Sequence, residues 1–554
     1  MNTRERNALQ QIREATDALR SAGRVEEALE YSLAVVAAVL RQIAALEQQL
    51  AKLRRQQVGK RSERISAEQL ALMLQELKEE LGAAAFAEIA AAQEDAALEY
   101  VLEQAKESRT KDGRPRRRGW QARGVERKVH QVALPESERI CGRCGRAKRR
   151  MGEDITRTLT YVPAHFLEHE YRLEKYACGV CKDGVSTAPA PPKVIERSTA
   201  DASVLAHVVL SKYADHTPLH RLHRICKRSG VDIPVSTLAD WVAGVAERME
   251  PLVDALTARL LRAHVVRVDA TGLKVLDPTS PENIERGTVW CYVGDDRDVV
   301  FRYTPTGEGA SGSWQLLAGR RGYIQADAAS VFDRLFNGAA ASAVEVGCWA
   351  HARRRFVALA DTDPRVAYPL QLIRRLYLLE ELADAKGLAP PDRATQRQAR
   401  SREVLDRLRR WLIPIVATEP PSSDLARAAA YCLNQWEALT RFLEDGRLSP
   451  DNNLCEQQLR DVALGRKNFL FAGSHEAAHR TAALYSLMRT CAQHGVEPLP
   501  YLTSVLRKLA QGWDASRVED LLPDRWKLLR ANANGTTAGT PRATSTQPGL
   551  TVPA

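Results

Sequence analysis

Long apolar runs are missing from this 554-residue chain. No stretch of about 18 uninterrupted apolar residues occurs, and the segment after Met1 is polar and charged. A membrane-spanning helix needs about 20 consecutive apolar residues, and a secretory signal needs an apolar stretch behind its basic start. We therefore expect a cytoplasmic protein with no membrane association.

Acidic residues are fewer than basic ones, and this imbalance favours a polyanionic partner. The chain has 80 Lys and Arg against 69 Asp and Glu, a formal net charge of +11. Such a balance is typical of nucleic-acid-binding proteins, although many basic proteins simply have solvated surfaces. The length exceeds one hydrophobic core, so we expect several structural units.

Disulfides are not expected, because a cytosolic chain keeps its cysteines reduced, and this chain has ten of them. Four form two Cys-x-x-Cys pairs, Cys141 with Cys144 and Cys178 with Cys181. Four thiolates with this spacing can hold one tetrahedral Zn²⁺, and a closed four-sulfur site is structural rather than catalytic. The pattern predicts a zinc ribbon over 131–190, and the alternative is free thiols with accidental spacing.

Apolar residues recur with a heptad period in the first segment, 1–62. The seam consists of Val25, Leu29, Ser32, Val36, Val39, Ile43, Leu46, Leu50 and Leu53. This pattern predicts a coiled-coil helix and therefore a homo-oligomer. The alternative is an amphipathic helix packed on its own chain. A second helical segment is predicted over 63–105.

The next segment, 106–130, is rich in Lys, Arg, Gly and Pro and has no apolar period. We interpret it as a basic linker. Four of its arginines stand close together, namely Arg114, Arg116, Arg117 and Arg118. They are candidates for DNA phosphate contacts, and the alternative is a solvated connector.

A helical segment is predicted over 200–263. The sequence predicts a helix, a Gly-containing turn and a second helix, with Thr237 and Asp240 spaced as a capping box. One interpretation is a helix-turn-helix that reads the major groove. The other, which we favour, is a support for the following sheet, with Leu238 and Trp241 in its core.

From residue 264 the pattern changes from helical to strand-like. Short β-branched runs alternate with helical stretches in the order β-β-β-α-β-α-β-α over 264–362. This is the order of the ribonuclease H fold, in which the first and fourth strands are neighbours. The first run ends at Asp269 and the fourth at Asp327, so we expect the two acids to lie side by side. The predicted class is multidomain α+β with a ribonuclease-H-like α/β core.

A helical insertion over 363–446 separates this core from its completion over 447–515. The completing helix would be capped by Asn452 or Asn453, with Glu456 facing inward. Basic residues near these acids are candidates for phosphate contacts, namely Arg353, Arg354, Arg460 and Lys467. The tail over 531–554 is rich in Thr, Ala, Gly and Pro and is expected to be disordered.

Three acids from distant segments, Asp269, Asp327 and Glu456, form the predicted catalytic set. Carboxylates suit Mg²⁺ or Mn²⁺, and two such ions support in-line attack on a phosphodiester. In this hypothesis Asp269 bridges both ions, Asp327 holds one and Glu456 holds the other. Asp451 is the alternative to Glu456 as the third acid.

At these residues the chain resembles the bacterial insertion-sequence 66 family of transposases. The similarity rests on VDATGLKVL, GYIQADAASVFD, GCWAHARRRF and SPDNNLCEQQLRDVALGRKNFLFAG, and it extends to the zipper and the zinc ribbon. The resemblance implies an Asp-Asp-Glu set at Asp269, Asp327 and Glu456. It also implies action on the element's terminal inverted repeats and on target DNA, element-encoded accessory proteins, and a nucleoid-associated location. The chain departs from the family at Ala270, where an acid is usual, and at Ala328, where Gly is usual.

Two other functions fit parts of the sequence. A tyrosine recombinase would use the His351 and Arg354 pattern with Tyr377 as nucleophile, without a metal. A catalytically inactive zinc-ribbon DNA-binding regulator would use the zipper, linker and ribbon, and the three acids argue against it.

Overall fold

The structure, a computed structural model, describes residues 13–36, 65–81, 98–99, 101–103, 128–130, 135–149, 164–177, 185–305, 314–327, 330–336 and 343–536. Several predicted features lie outside these ranges: the four clustered linker arginines, Cys178 and Cys181, the later part of the heptad seam and the tail beyond 536. Within the described ranges, no helix is long and apolar enough to cross a membrane.

Two helical stretches, 13–21 and 25–36, open the described chain. The turn between them includes Gly23 at φ +76°, a backbone angle that glycine adopts without strain. The described apolar seam residues, Val25, Leu29 and Val36, are more than half exposed. These side chains are therefore available for the partner helix that the heptad pattern predicts.

Helix α1 (Ala67–Leu81) packs against the later helical part of the chain. It starts with a capping box in which the side chains of Ser66 and Gln69 each accept the other's backbone N–H. Leu70 on this helix is buried in the same apolar cluster as Trp349 and Leu376. A short hairpin of β1 (Lys175–Ala177) and β2 (Val185–Thr187) follows in the chain.

Three helices precede the main sheet, α2 (Ala202–Tyr213), α3 (Leu219–Arg228) and α4 (Val235–Leu261). The predicted capping box is wrong, because α4 begins after Pro234 without a side-chain cap. Leu238 and Trp241 are buried in the core that also contains the sheet. Their burial favours the interpretation of α4 as a support.

The main sheet has five strands, β3 (Val265–Leu276), β4 (Ile284–Gly294), β5 (Asp298–Thr304), β6 (Gly322–Gln325) and β7 (Ala343–Val346). Their order in space is β5-β4-β3-β6-β7. The first three pair antiparallel, whereas β6 is parallel to β3 and β7 is parallel to β6. One-turn helices α5 (Trp314–Leu317) and α6 (Asp333–Phe336) flank β6, and α7 (Trp349–Val357) follows β7. The expected mixed α+β architecture is confirmed, with the first and fourth strands of the sheet as neighbours.

The helical insertion contains α8 (Ala367–Lys386), α9 (Pro390–Gln396), a π-turn (Arg397–Ser401), α10 (Arg402–Thr418), α11 (Asp424–Asn434) and α12 (Trp436–Thr440). It packs around an apolar cluster that includes Leu376, Leu408 and Phe442 and that it shares with α1, α7 and the sheet. At its centre the Arg397 guanidinium, 1% exposed, pairs with Glu380.

Four α-helices end the described part of the chain, α13 (Asn453–Phe469), α14 (His475–Gln493), α15 (Pro498–Ala510) and α16 (Pro523–Thr536). Helix α13 packs on β3 and β4, and α14 packs on β5. Hydroxyl groups of α14 accept backbone N–H donors of this edge strand, Ser486 from Phe301 and Thr490 from Val299. The helix thereby covers the unpaired edge of the sheet.

Candidate active site

Two acids lie level with each other at one end of the parallel strand pair. In the register of β3 and β6, Arg267 is opposite Gln325. Two residues further along each segment are Asp269 and Asp327, both half-buried. The parallel pairing thus brings together two acids that are far apart in sequence, as the strand pattern predicted.

The third acid, Glu456, lies in the first turn of α13. Two contacts fix this helix start against the sheet. The Asn452 side chain donates to the backbone oxygen of Val268 at 2.8 Å, and the Cys455 thiol donates to the oxygen of Cys291 at 3.3 Å. Asn452 is the N-cap residue but makes no capping bond, so the predicted capping role is replaced by an anchor to β3 beside Asp269.

Arg354 and His351 on α7 face Glu456. Arg354 Nη2 donates to Glu456 Oε2 at 2.5 Å, and His351 Nε2 lies 3.8 Å from Oε1. That Oε1 atom is buried and has no hydrogen-bond partner among the described residues. The sequence predicted a phosphate contact for Arg354 but not its ion pair with Glu456. The available signal was the His-x-x-Arg spacing, which places both side chains on one helix face.

The pKa of Asp269 is shifted by burial and by the charges around it. Burial raises the pKa of Asp269 to about 6, the charges of Glu456 and Asp327 add to the rise, and Arg354 opposes it. The Ala270 N–H also donates to Asp269 Oδ1 at 2.7 Å and favours the charged form. The negative charges of the site are therefore only partly compensated by nearby positive charge.

In the part of the chain that the structure describes, two sets of three side chains have potential ligand atoms within 4.8 Å of one another. One set is Cys348, His351 and Glu456, and the other is Asp277, Glu285 and His475. Asp269, Asp327 and Glu456 do not form such a set. The second set follows the far end of β3, about 26 Å from Asp269 along an extended chain.

The residues present fit a divalent cation nevertheless. Carboxylate oxygens are the ligands that Mg²⁺ and Mn²⁺ prefer. The buried Glu456 Oε1 lacks a hydrogen-bond partner among the described residues, and the raised pKa of Asp269 indicates negative charge that is incompletely compensated. Arg354 supplies the nearest positive charge to Glu456.

We expect Asp269→Asn to stabilise the metal-free protein by about 1–3 kcal/mol at pH 8, because it removes a charge that burial disfavours. The pKa of Asp269 in the folded protein lies above its ordinary value of 3.8. The folded protein therefore binds the proton more tightly, and stability falls as pH rises from about 4 through about 6. Urea unfolding in chelator, compared at pH 8 and pH 4, measures the gain, which should vanish at the lower pH.

Asp277→Asn is the matched control, because hydrogen bonds from Thr279 lower the pKa of Asp277. Its substitution should destabilise the protein at pH 8. An Asp269→Asn variant that is less stable than the wild type at pH 8 contradicts the argument.

The other predicted DNA-contacting residues lie in two places. Arg353 on α7 is half-buried, whereas Arg460 and Lys467 on α13 are exposed. Arg460 and Lys467 lie further along the same helix as Glu456. Arg114, Arg116, Arg117 and Arg118 lie outside the described residues.

The first Cys-x-x-Cys pair lies in a tight turn. The Cys141 N–H donates to the Arg146 oxygen at 2.8 Å, and the Gly145 N–H donates to the Cys141 oxygen. Backbone N–H groups of Arg143 and Cys144 lower the pKa of the Cys141 thiol, which favours the thiolate that binds metal. The second pair, Cys178 and Cys181, lies outside the described residues.

Four family models each match a different part of the chain. Residues 197–480 match the transposase IS66 family, and residues 486–523 match the IS66 C-terminal element. The chain belongs to the IS66 transposase family. Residues 138–182 match the zinc-finger binding domain of transposase IS66, and residues 45–122 match the transposase C of IS166 homeodomain. IS66 membership implies a transposase activity, and the zinc-finger match implies zinc binding.

Three proteins of Sinorhizobium fredii are similar over most of their length. The uncharacterized protein y4hP is 32% identical over 85% of this chain and 87% of its own. The uncharacterized protein y4qI is 34% identical over 74% of this chain and 78% of its own. The uncharacterized protein y4jD is 30% identical over 72% and 80%. The resemblance to IS66 transposases inferred from the motifs is thus confirmed.

Proposed function

We propose that this IS66 transposase cleaves and joins DNA through an Asp-Asp-Glu set formed by Asp269, Asp327 and Glu456. The observation that carries the proposal is the level placement of the two aspartates on β3 and after β6, with the start of α13 anchored beside them. The raised pKa of Asp269 supports it, since the charges of Glu456 and Asp327 both add to the effect of burial.

The proposed core is ribonuclease-H-like. Three antiparallel strands, a parallel fourth and fifth strand and intervening helices support this assignment. In this proposal the helices over 363–446 are an insertion, and α13 returns the chain to the core.

Two Mg²⁺ or Mn²⁺ ions at this set, when bound, would stabilise the attacking and leaving oxygens of phosphodiester cleavage and strand transfer. Asp269, whose pKa is raised by the charges of both other acids, would contact both ions. Asp327 and Glu456 would each hold one. Arg354 orients Glu456 through their hydrogen bond, and Arg460 and Lys467 would contact backbone phosphates further along the strand.

The remaining proposed units bind DNA and assemble the complex. Cys141, Cys144, Cys178 and Cys181 would hold one structural Zn²⁺, and the arginines of 106–130 would contact phosphates at the element's terminal repeats and at the target. The exposed seam of Val25, Leu29 and Val36 would pair two copies of the chain. Element-encoded accessory proteins are further proposed partners.

We expect Cys178→Ser to lose the ribbon's zinc, because one of four thiolate ligands is removed and structural zinc binding is coupled to folding. Metal content by mass spectrometry should fall from one zinc per chain to none. Cys491→Ser is the control, because that cysteine is buried in α14 and is not one of the predicted ligands. Equal zinc in the wild type and Cys178→Ser contradicts the assignment.

The test of the proposal is a cleavage assay on DNA copied from the sequence that flanks the gene. Labelled ends are incubated with the full chain in Mg²⁺ or in chelator, and nicks and joined products are mapped. Cleavage and joining that require Mg²⁺ support the carboxylate site. Cleavage that persists in chelator favours a tyrosine recombinase, and binding without cleavage favours an inactive regulator.

A further inference from the structure

A cavity lies near the proposed active site, on the same face of the sheet. It has a volume of about 280 Å³ and lies between α2, α4, the end of α13 and the start of α14. Leu273 lines it and lies four residues after Asp269, so both side chains project from the same face of β3. Gly465 lines it from α13, the helix that carries Glu456.

Both paths from the site to the cavity have similar lengths. Four residues of extended strand span about 13 Å. Nine residues of helix, from Glu456 to Gly465, span about 14 Å. In duplex DNA this distance corresponds to about four base steps.

The cavity is cationic and aromatic. Lys212, Arg466 and Arg480 line it together with Phe469 and Phe471, and none of its described lining residues is acidic. The Lys212 ammonium lies 4.5 Å from the ring centre of Phe469. Burial lowers the pKa of Lys212 to about 8 because it removes water from the ammonium group. An anion beside the ammonium would compensate for this lost hydration. Arg466 is held toward β3 by donating to Thr271 Oγ1 at 2.8 Å.

Two exposed apolar residues, Leu470 and Phe471, lie at the cavity entrance, and this pair is called the apolar step. Leu470 is 65% exposed and Phe471 is 40% exposed. Leu470 has φ +67°, a strained angle for a residue with a branched side chain. The step is fixed to the sheet because Ala472 donates to the Lys274 oxygen and accepts from the Leu276 N–H. Rigid, exposed apolar side chains of this kind can insert between base pairs.

We propose that this cavity receives a nucleobase extruded from the bound DNA, about four base steps from the cleaved bond. Leu470 enters the stack in place of the base, Phe471 stacks on the extruded base, and Lys212 and Arg466 bind its flanking phosphate. The inference rests on the proposed function, since it requires DNA across the site. Aromatic stacking and phosphate contacts offset the cost of unpairing one base.

Permanganate oxidation of thymine tests the proposal, because the reagent attacks unstacked thymines. Duplexes copied from the DNA that flanks the gene carry a thymine at each position in turn and are bound to the full zinc-containing chain without added Mg²⁺. We expect one thymine, about four base steps from the cleaved bond, to become reactive. Leu470→Ala and Phe471→Ala should each reduce its reactivity about ten-fold.

Matched control variants distinguish a local role of Leu470 and Lys212 from a general loss of folding or binding. Leu528→Ala removes an equally exposed leucine on α16 and should leave the reactive thymine unchanged. Lys212→Met should weaken duplex binding about ten-fold, whereas Lys508→Met, which removes a lysine that lies over Trp513, should not. Leu470→Ala should also bind the intact duplex more weakly, and an abasic site at the reactive position should restore this binding, because no base then has to be unpaired.

Uniform protection of every thymine overturns the proposal, and so does a reactive thymine that neither Leu470→Ala nor Phe471→Ala affects. The assay needs no Mg²⁺. A reactive thymine without cleavage in Mg²⁺ therefore counts against the carboxylate chemistry alone, and cleavage without a reactive thymine counts against the cavity alone.

Discussion

Glu456→Gln is expected to reduce Mg²⁺-dependent DNA cleavage at least about a thousand-fold while leaving binding to the element's ends nearly unchanged. Glutamine keeps the size of the side chain and one oxygen acceptor, but it removes the negative charge that would hold a cation. Glu456 is in the first turn of α13 and contacts Arg354, and its other oxygen is buried without a hydrogen-bond partner in the described structure. The substitution therefore changes the site's charge more than its shape.

The measurement is a single-turnover cleavage assay beside a gel-shift titration of the same labelled duplex. Glu476→Gln is the matched control, because Glu476 also lies in the first turn of a helix, α14, and is exposed. It should cleave at the wild-type rate. If Glu456→Gln retains more than about a tenth of the wild-type rate, Glu456 is not a ligand and Asp451 becomes the candidate third acid.

Arg397→Met is expected to destabilise the helical insertion by about 3–5 kcal/mol. The guanidinium donates through all of its nitrogens. Nε and Nη2 donate to the Glu380 carboxylate at 2.8 and 2.7 Å, and Nη1 and Nη2 also donate to the backbone oxygens of Phe442, Asp445 and Leu448. Methionine fills much of the volume but leaves these three backbone oxygens without their donors, and it leaves Glu380 with the Arg393 Nη1 contact at 3.1 Å as its remaining ion pair.

Urea unfolding followed by circular dichroism measures this loss. Arg427→Met is the control, because Arg427 pairs with Asp424 on an exposed face of α11. Its removal should cost no more than about 1 kcal/mol. Equal shifts for the two variants would show that the buried pair contributes no more than a surface pair.

The sequence predicted those parts of the fold that depend on local pattern. The β-branched run before Asp269 and the short run before Asp327 each predicted a strand, and both strands are present. Their adjacency followed from the order of the elements rather than from either segment alone. The helices α8 to α12 likewise followed from the spacing of leucine and alanine.

Contacts between segments distant in sequence were not predicted. Arg354 and Glu456 are 102 residues apart, and Asn452 and Val268 are 184 apart. A helix-capping asparagine and an anchoring asparagine have the same local sequence. The choice between them depends on which backbone oxygen the fold brings close. The buried pair of Arg397 and Glu380 was missed for a related reason, since a charged residue within an amphipathic pattern normally indicates an exposed face.

In the proposed function, the helical insertion between α7 and α13 also determines when a newly made chain gains its third catalytic acid. Asp269 and Asp327 leave the ribosome early, whereas Glu456 follows only after the whole insertion has been translated. At about 5–20 residues per second this delay is roughly 6–25 seconds. A polypeptide truncated within the insertion would carry the zipper, linker and zinc ribbon but lack the third acid. In the proposed function, such a fragment would bind the element's ends without cleaving them and would inhibit the full-length protein.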